Sequence, residues 1–125
     1  ILDLAAVGSL VKFDKLIELH LAANCSFLVK FLESAENLQD LIIREVHKKH
    51  KNWMEPVRQV PKCLSSHLRT IIIDEFGSTE QEFEMIKYLL RNSKVLETMD
   101  IYSIDAINRI VSYQRGSKAC DLTFH

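Results

Sequence analysis

Residues 68–101 read LRTIIIDEFGSTEQEFEMIKYLLRNSKVLETMDI, and the spacing of apolar residues along them decides the fold. Leu68, Ile71 and Ile73 follow the pattern L-x-x-L-x-L, and Leu96, Met99 and Ile101 repeat it. Between the two sets, Ser78 or Thr79 can cap the first free amides of a helix, and Thr79 with Glu82 has capping-box spacing. Glu80, Glu82 and Glu84 then sit near the positive end of the helix dipole, and Lys87 and Arg91 near its negative end. Phe83, Ile86, Leu89 and Leu90 recur at 3.6-residue spacing, so a helix from Glu80 to Asn92 has one face that must be covered. The flanking sets are strands that can cover it, and a strand, helix, strand order with a right-handed crossover makes those strands parallel.

Outward from this unit the same pattern recurs. It occurs at Leu16, Leu19, Leu21; at Leu38, Leu41, Ile43; in the two central sets; and at Ala119, Leu122, Phe124. The sets are spaced by 22, 30, 28 and 23 residues, near the period of a leucine-rich repeat, in which each repeat is one strand and a returning helical segment. Asn24 or Ser26 can cap a returning helix carrying Phe27, Leu28, Phe31, Leu32 and Ala35. Ser103 can cap another carrying Ile104, Ile107, Ile110 and Val111, with Gly116 in a left-handed position past its end. The expected fold is α/β: a leucine-rich-repeat-like solenoid with about five parallel strands and returning helices. The chain opens Ile1-Leu2-Asp3-Leu4 without an initiator methionine, and Leu2 and Leu4 resemble the end of a strand; the expectation is a fragment of a longer chain.

Composition bounds the function classes. A chain of 125 residues, 47% hydrophobic and 26% charged, fits one compact domain. Its formal net charge of -1 supplies no global drive toward nucleic acid or an anionic membrane. Cys25, Cys63 and Cys120 are odd in number and widely spaced, which suggests no disulfide framework and favours a reducing compartment. No uncharged apolar run approaches the ~20 residues that span a bilayer, and the first residues lack the basic start and cleavage site of a signal peptide. No membrane partner is expected.

The segment joining the second and third strands, Arg44 to His67, holds both prolines, the only tryptophan and the basic run His47-Lys48-Lys49-His50-Lys51. It suits an exposed polar loop followed by a lead-in, Trp53 to Leu64, that folds back on the core. Trp53-x-x-Pro56, then Val60-Pro61-Lys62-Cys63-Leu64-x-x-His67-Leu68, resembles the opening of the FBD domain at the C-terminus of plant F-box/leucine-rich-repeat proteins. The resemblance continues through Tyr88-Leu89-Leu90-Arg91-Asn92-Ser93-x-x-Leu96-Glu97-Thr98-Met99 and closes with Arg115-Gly116-Ser117-x-x-Cys120-x-Leu122-x-Phe124. It implies terminal leucine-rich repeats over residues 1–51 and an FBD domain over residues 52–125. Near Ile73 many members of that family carry a tryptophan; here the position is aliphatic, with Phe76 as a nearby aromatic.

The resemblance implies a noncatalytic interaction module, the substrate-recognition part of an F-box protein in a Skp–cullin ubiquitin ligase, working in the nucleus or cytoplasm on an unknown protein substrate. The F-box helices that would bind the Skp adaptor are not among these residues, so adaptor binding is expected only through a region outside them. A structural alternative is that the FBD part closes and stabilises the repeat array, whose open edge otherwise exposes unpaired strand groups. Nucleic-acid binding through the basic loop ranks below both.

Residue pairs that invite chemistry lack the rest of a site. His47-x-x-His50 has no third ligand nearby and three lysines that repel a cation. Cys63 with His67, or Ser65 and Ser66 with His67, has no orienting third group and no nucleophile elbow; Cys63 reads instead as a buried residue leading into a strand. Asp74 and Glu75 are adjacent and point to different sides. Gly8, Gly77 and Gly116 are too far apart for a phosphate loop. Trp53, beside Pro56, reads as a core seal. No catalytic residue, metal or cofactor is expected.

What remains is the sheet surface. If the pattern residues point inward, the alternating positions face outward on a concave face in three rows. These are Glu18, Asp40, Thr70, Thr98, Asp121; His20, Ile42, Ile72, Asp100, Thr123; and Ala22, Arg44, Asp74, Tyr102, His125. An aliphatic middle with a polar surround suits a protein partner. The candidate contact residues are His20, Asp40, Ile42, Arg44, Ile72, Asp74, Asp100 and Tyr102.

Overall fold

A computed structural model describes residues 17–21, 28–44, 60–74, 76, 80–103 and 106–125. The strands are β1 (Glu18–Leu21), β2 (Asp40–Arg44), β3 (Thr70–Asp74), β4 (Thr98–Ile101) and β5 (Asp121–Phe124). The helices are α1 (Leu28–Ser34), α2 (Lys62–Ser66), α3 (Glu80–Asn92) and α4 (Ile107–Ile110). The fold is α/β, with one parallel sheet whose strands lie in chain order β1-β2-β3-β4-β5.

The register follows from the apolar pattern. Glu18 pairs with Asp40, Asp40 with Thr70, Thr70 with Thr98 and Thr98 with Asp121, so successive strands are offset by the same intervals as the apolar sets. A repeated backbone arrangement starts each strand. The N–H groups of Asp40, Thr70, Thr98 and Asp121 donate to the carbonyls of Ile17, Gln39, Arg69 and Glu97, at 2.9 to 3.1 Å. The carbonyl just before one strand thus anchors the first residue of the next.

Leu41 and Ile43, Ile71 and Ile73, and Met99 and Ile101 point into one core, joined by Leu38, Leu68 and Leu96 from the turns before the strands. Leu28, Phe31, Leu32, Cys63, Leu64, Phe83, Met85, Ile86, Tyr88, Leu89, Leu90 and Ile110 close it from the helices. The helices therefore line one face, and α1, α2, α3 and α4 pack as successive neighbours.

Helix α3 spans the expected residues, with Glu80 and Glu82 in its first turn and Arg91 in its last. Its proposed caps Ser78 and Thr79 lie outside the described residues. Three carbonyls near its end, groups that a helix C-terminus leaves short of intrahelical partners, are each met by a donor. Tyr88 O accepts from Asn92 Nδ2 at 2.9 Å, Leu89 O from the Ser93 N–H at 3.0 Å, and Leu90 O from the Gly116 N–H at 2.8 Å.

Four local expectations are corrected. Cys63 and Leu64 lie in a five-residue helix, α2, rather than in a plain approach to a strand. Pro61 precedes it with φ -52°, the ring-fixed angle that suits a helix start. The last returning helix is a single turn, starting after Ala106 with no side-chain cap. One turn presents one position to the core, so Ile110 is buried while Ile107 and Val111 stay exposed. Gly116 does not serve by a left-handed backbone: its requirement is space, because a Cβ there would lie 2.4 Å from the Arg91 carbonyl oxygen. In the final set Ala119 is exposed and the neighbouring Cys120 is buried instead.

Candidate functional site

Three rows of side chains face away from the helices. β2 to β5 carry Asp40, Thr70, Thr98 and Asp121 in register, then Ile42, Ile72, Asp100 and Thr123. Arg44 pairs with Asp74. The ladder runs on past the strand ends, since the Tyr102 N–H donates to Ile73 O at 3.0 Å and the His125 N–H to Ile101 O at 2.9 Å. That places Tyr102 and His125 in the third row.

Of the sequence-derived contact residues, Asp40, Ile42, Arg44, Ile72, Asp74, Asp100 and Tyr102 thus share one face. β1 brings the His20 backbone into register with Ile42. Ile42 and Ile72 are half-buried cross-strand neighbours, and Tyr102 is 47% exposed. Arg44 Nε lies 3.7 Å from Asp74 Oδ2, and His125 Nε2 lies 3.8 Å from Asp100 Oδ1. The Tyr102 and His125 rings stack, with centroids 4.5 Å apart and planes 19° from parallel. His125 therefore joins Asp100 to Tyr102, a role missing from the candidate set although its two-residue spacing from Thr123 was visible. Solvent screens such exposed ion pairs, so they orient side chains more than they stabilise the fold.

Cys63 is buried, as its apolar surroundings in the sequence suggest. The Cys63 Sγ–H donates to the Leu32 carbonyl at 3.6 Å and joins α2 to α1. Loss of solvent pushes its thiol up to about 12, so no thiolate forms near neutral pH. Cys120 is buried too, and its thiol is likewise pushed up. Among the described residues no group of three His, Cys, Asp or Glu is placed to hold a metal ion. No helix among them is long and apolar enough to cross a membrane. His47, His50, the lysines between and after them, and Trp53 lie outside the described residues.

Sequence reasoning also missed what binds the last strand to the rest. In the segment Arg115-Gly116-Ser117-x-x-Cys120, Gly116 sits against the end of α3. Ser117 Oγ donates to the buried Leu96 carbonyl at 2.7 Å, and Arg115 Nη1 donates to the Cys120 carbonyl at 3.0 Å. On the helical side, Arg109 of α4 grips Glu80 of α3 through two bonds of 2.7 and 2.6 Å and lies 4.0 Å over the Phe83 ring. The Arg109 guanidinium holds the Glu80 carboxyl below its ordinary value. Phe83 meets Phe76 edge to face at 5.2 Å.

Comparison with known proteins adds a family to this geometry. Residues 55–101 match the FBD family model. The chain is similar to an F-box/FBD/LRR-repeat protein of Arabidopsis thaliana, 31% identical over 113 residues, covering 79% of this chain and 26% of that protein. A second protein of the same description and organism is 30% identical over 128 residues, 90% of this chain and 29% of its own length. An FBD-associated F-box protein of Arabidopsis is 31% identical over 110 residues, 78% of this chain and 25% of its length. The chain spans about a quarter of the length of these relatives. No solved structure matches it.

Proposed function

Because the chain is an FBD-containing member of the plant F-box/FBD/LRR-repeat family, we propose that it is a noncatalytic interaction module, the substrate-recognition part of an F-box protein in a Skp–cullin ubiquitin ligase, acting in the nucleus or cytoplasm. In this reading the strands and returning helices are repeats of a solenoid, and the outward sheet face meets the substrate. The observation that supports it is the gathering of Ile42, Ile72 and Tyr102 with charged neighbours on one face, the mixed composition that protein partners use. The test is a quantitative pull-down from plant extract with the 125-residue chain beside a variant carrying Arg44→Ala, Asp100→Ala and Tyr102→Ala. A protein retained by the chain and lost from a variant of unchanged melting temperature supports the proposal. Equal retention by both removes this face from recognition.

A second reading has its own support. One core runs from Leu28 of α1 to Cys120 beside β5, β3 covers the length of β2, and Cys63 of α2 bonds α1. The FBD part then stabilises the preceding repeats by burying their edge. Truncation after residue 51 is expected to leave those repeats insoluble; a soluble, folded truncated chain rejects the reading.

A further inference from the structure

Among the described residues the outward face is unbalanced in charge, although the whole chain is close to neutral. Among the described residues its rows carry Asp40, Asp74, Asp100 and Asp121, against one arginine, Arg44, which already faces Asp74 at 3.7 Å. Asp40 and Asp121 make no ion pair among the described residues. His125 faces Asp100 but balances it only when protonated. Between the acids lies the half-buried aliphatic pair Ile42 and Ile72.

The spacing of the acids decides what can satisfy them. Neighbouring strands are ~4.8 Å apart, and successive residues on one face of a strand are roughly 6.6 Å apart. Asp40 and Asp121 share a row three strands apart, hence ~14 Å, and Asp100 stands on another row. Carboxylates so dispersed do not converge on one metal ion. They set up an extended negative field that repels phosphate and anionic lipid and attracts a chain bearing several positive charges.

We infer that this face docks a basic protein segment, one in which Lys or Arg residues flank an aliphatic side chain. The aliphatic group packs on Ile42 and Ile72, and the cations reach Asp40, Asp100 and Asp121. This inference rests on the reading of the face as the partner-binding surface and gives that partner a chemistry. Arg44 works against such a segment.

The test is fluorescence anisotropy with the 125-residue chain and three synthetic peptides sharing one Leu-Val centre, flanked by Lys, by Gln or by Glu. The Lys-flanked peptide is expected to bind tightest, and rising salt to weaken it. Asp40→Asn with Asp121→Asn lowers its affinity about three- to tenfold, as the loss of exposed ion pairs does. Arg44→Ala raises it, which simple damage to the face cannot do. Binding equal for the Lys and Glu peptides, or tighter for Glu, overturns the inference. Charge-independent binding that is lost in Ile72→Ser keeps the face as a docking surface while rejecting the basic partner. No response of any peptide to any face variant rejects the inference outright, and the pull-down then decides the broader function alone.

Discussion

The centre of the sheet and its β5 end carry the same apolar spacing but are held together differently. In β3 and β4 every pattern residue is buried, because each has a strand on both sides and α2 or α3 beneath it. At β5, Leu122 and Phe124 are only partly buried, and Ile107 and Val111 of α4 are 39% and 48% exposed. There, directed bonds from Gly116, Ser117, Arg115 and Arg109 take over. An identical pattern thus specifies position in both regions, while neighbours decide how much apolar burial stabilises it.

The contrast can be broken most severely at the centre. Ile71→Ala is expected to cost roughly 2–5 kcal/mol in urea denaturation, through lost burial and a cavity, against about 1 kcal/mol for Leu122→Ala. Similar losses at both sites would contradict it. Gly116→Ala forces a methyl group against the Arg91 carbonyl and should cost about 1–3 kcal/mol. Hydrogen exchange should show protection falling in β5 and the end of α3 while β2 and β3 keep theirs. Ser117→Ala leaves the buried Leu96 carbonyl without its donor, for about 1 kcal/mol.

The cysteines sharpen the comparison by pH. Below the ordinary thiol value of 9.0, Cys63 is neutral in both folded and unfolded chains. Above it the unfolded chain ionises while the folded thiol holds its proton to about 12, so stability falls as pH rises through that window. From about pH 8 to about pH 10 the wild type should lose stability relative to Cys63→Ala. Under native alkylation followed by mass spectrometry, Cys120 should label before Cys63, because local opening favours the less buried end. The smallest effect belongs to the exposed Arg109–Glu80 grip. Its contribution is present above the unfolded carboxyl value and is lost as pH falls through the depressed folded one. Added salt should erase the difference in melting temperature between wild type and Arg109→Gln.

The legible parts of the fold were those written in repeats long enough to show a period. Helix α3 has more than three turns, so its dipole charges and apolar face agreed on its limits. The rows from Asp40 to Tyr102 followed from counting in twos. Helices α2 and α4 have five and four residues, too few for a 3.6-residue period to emerge. The need for Gly116 was hidden for another reason: the atom it must avoid belongs to Arg91, on another element, and local turn rules do not see it. The approach of His125 to Asp100 likewise joins neighbouring strands.

The sequential order of the sheet has a kinetic consequence. β2, β3 and β4 each pair with the strand before and the strand after in the chain, and α1, α2 and α3 each pack on the next helix. Among the described strands no pairing must await the arrival of a distant part of the polypeptide, so each loop closed between them is short and its entropic cost modest. Structure formed anywhere along β2 to β4 can grow in both directions, like a zipper started from the middle.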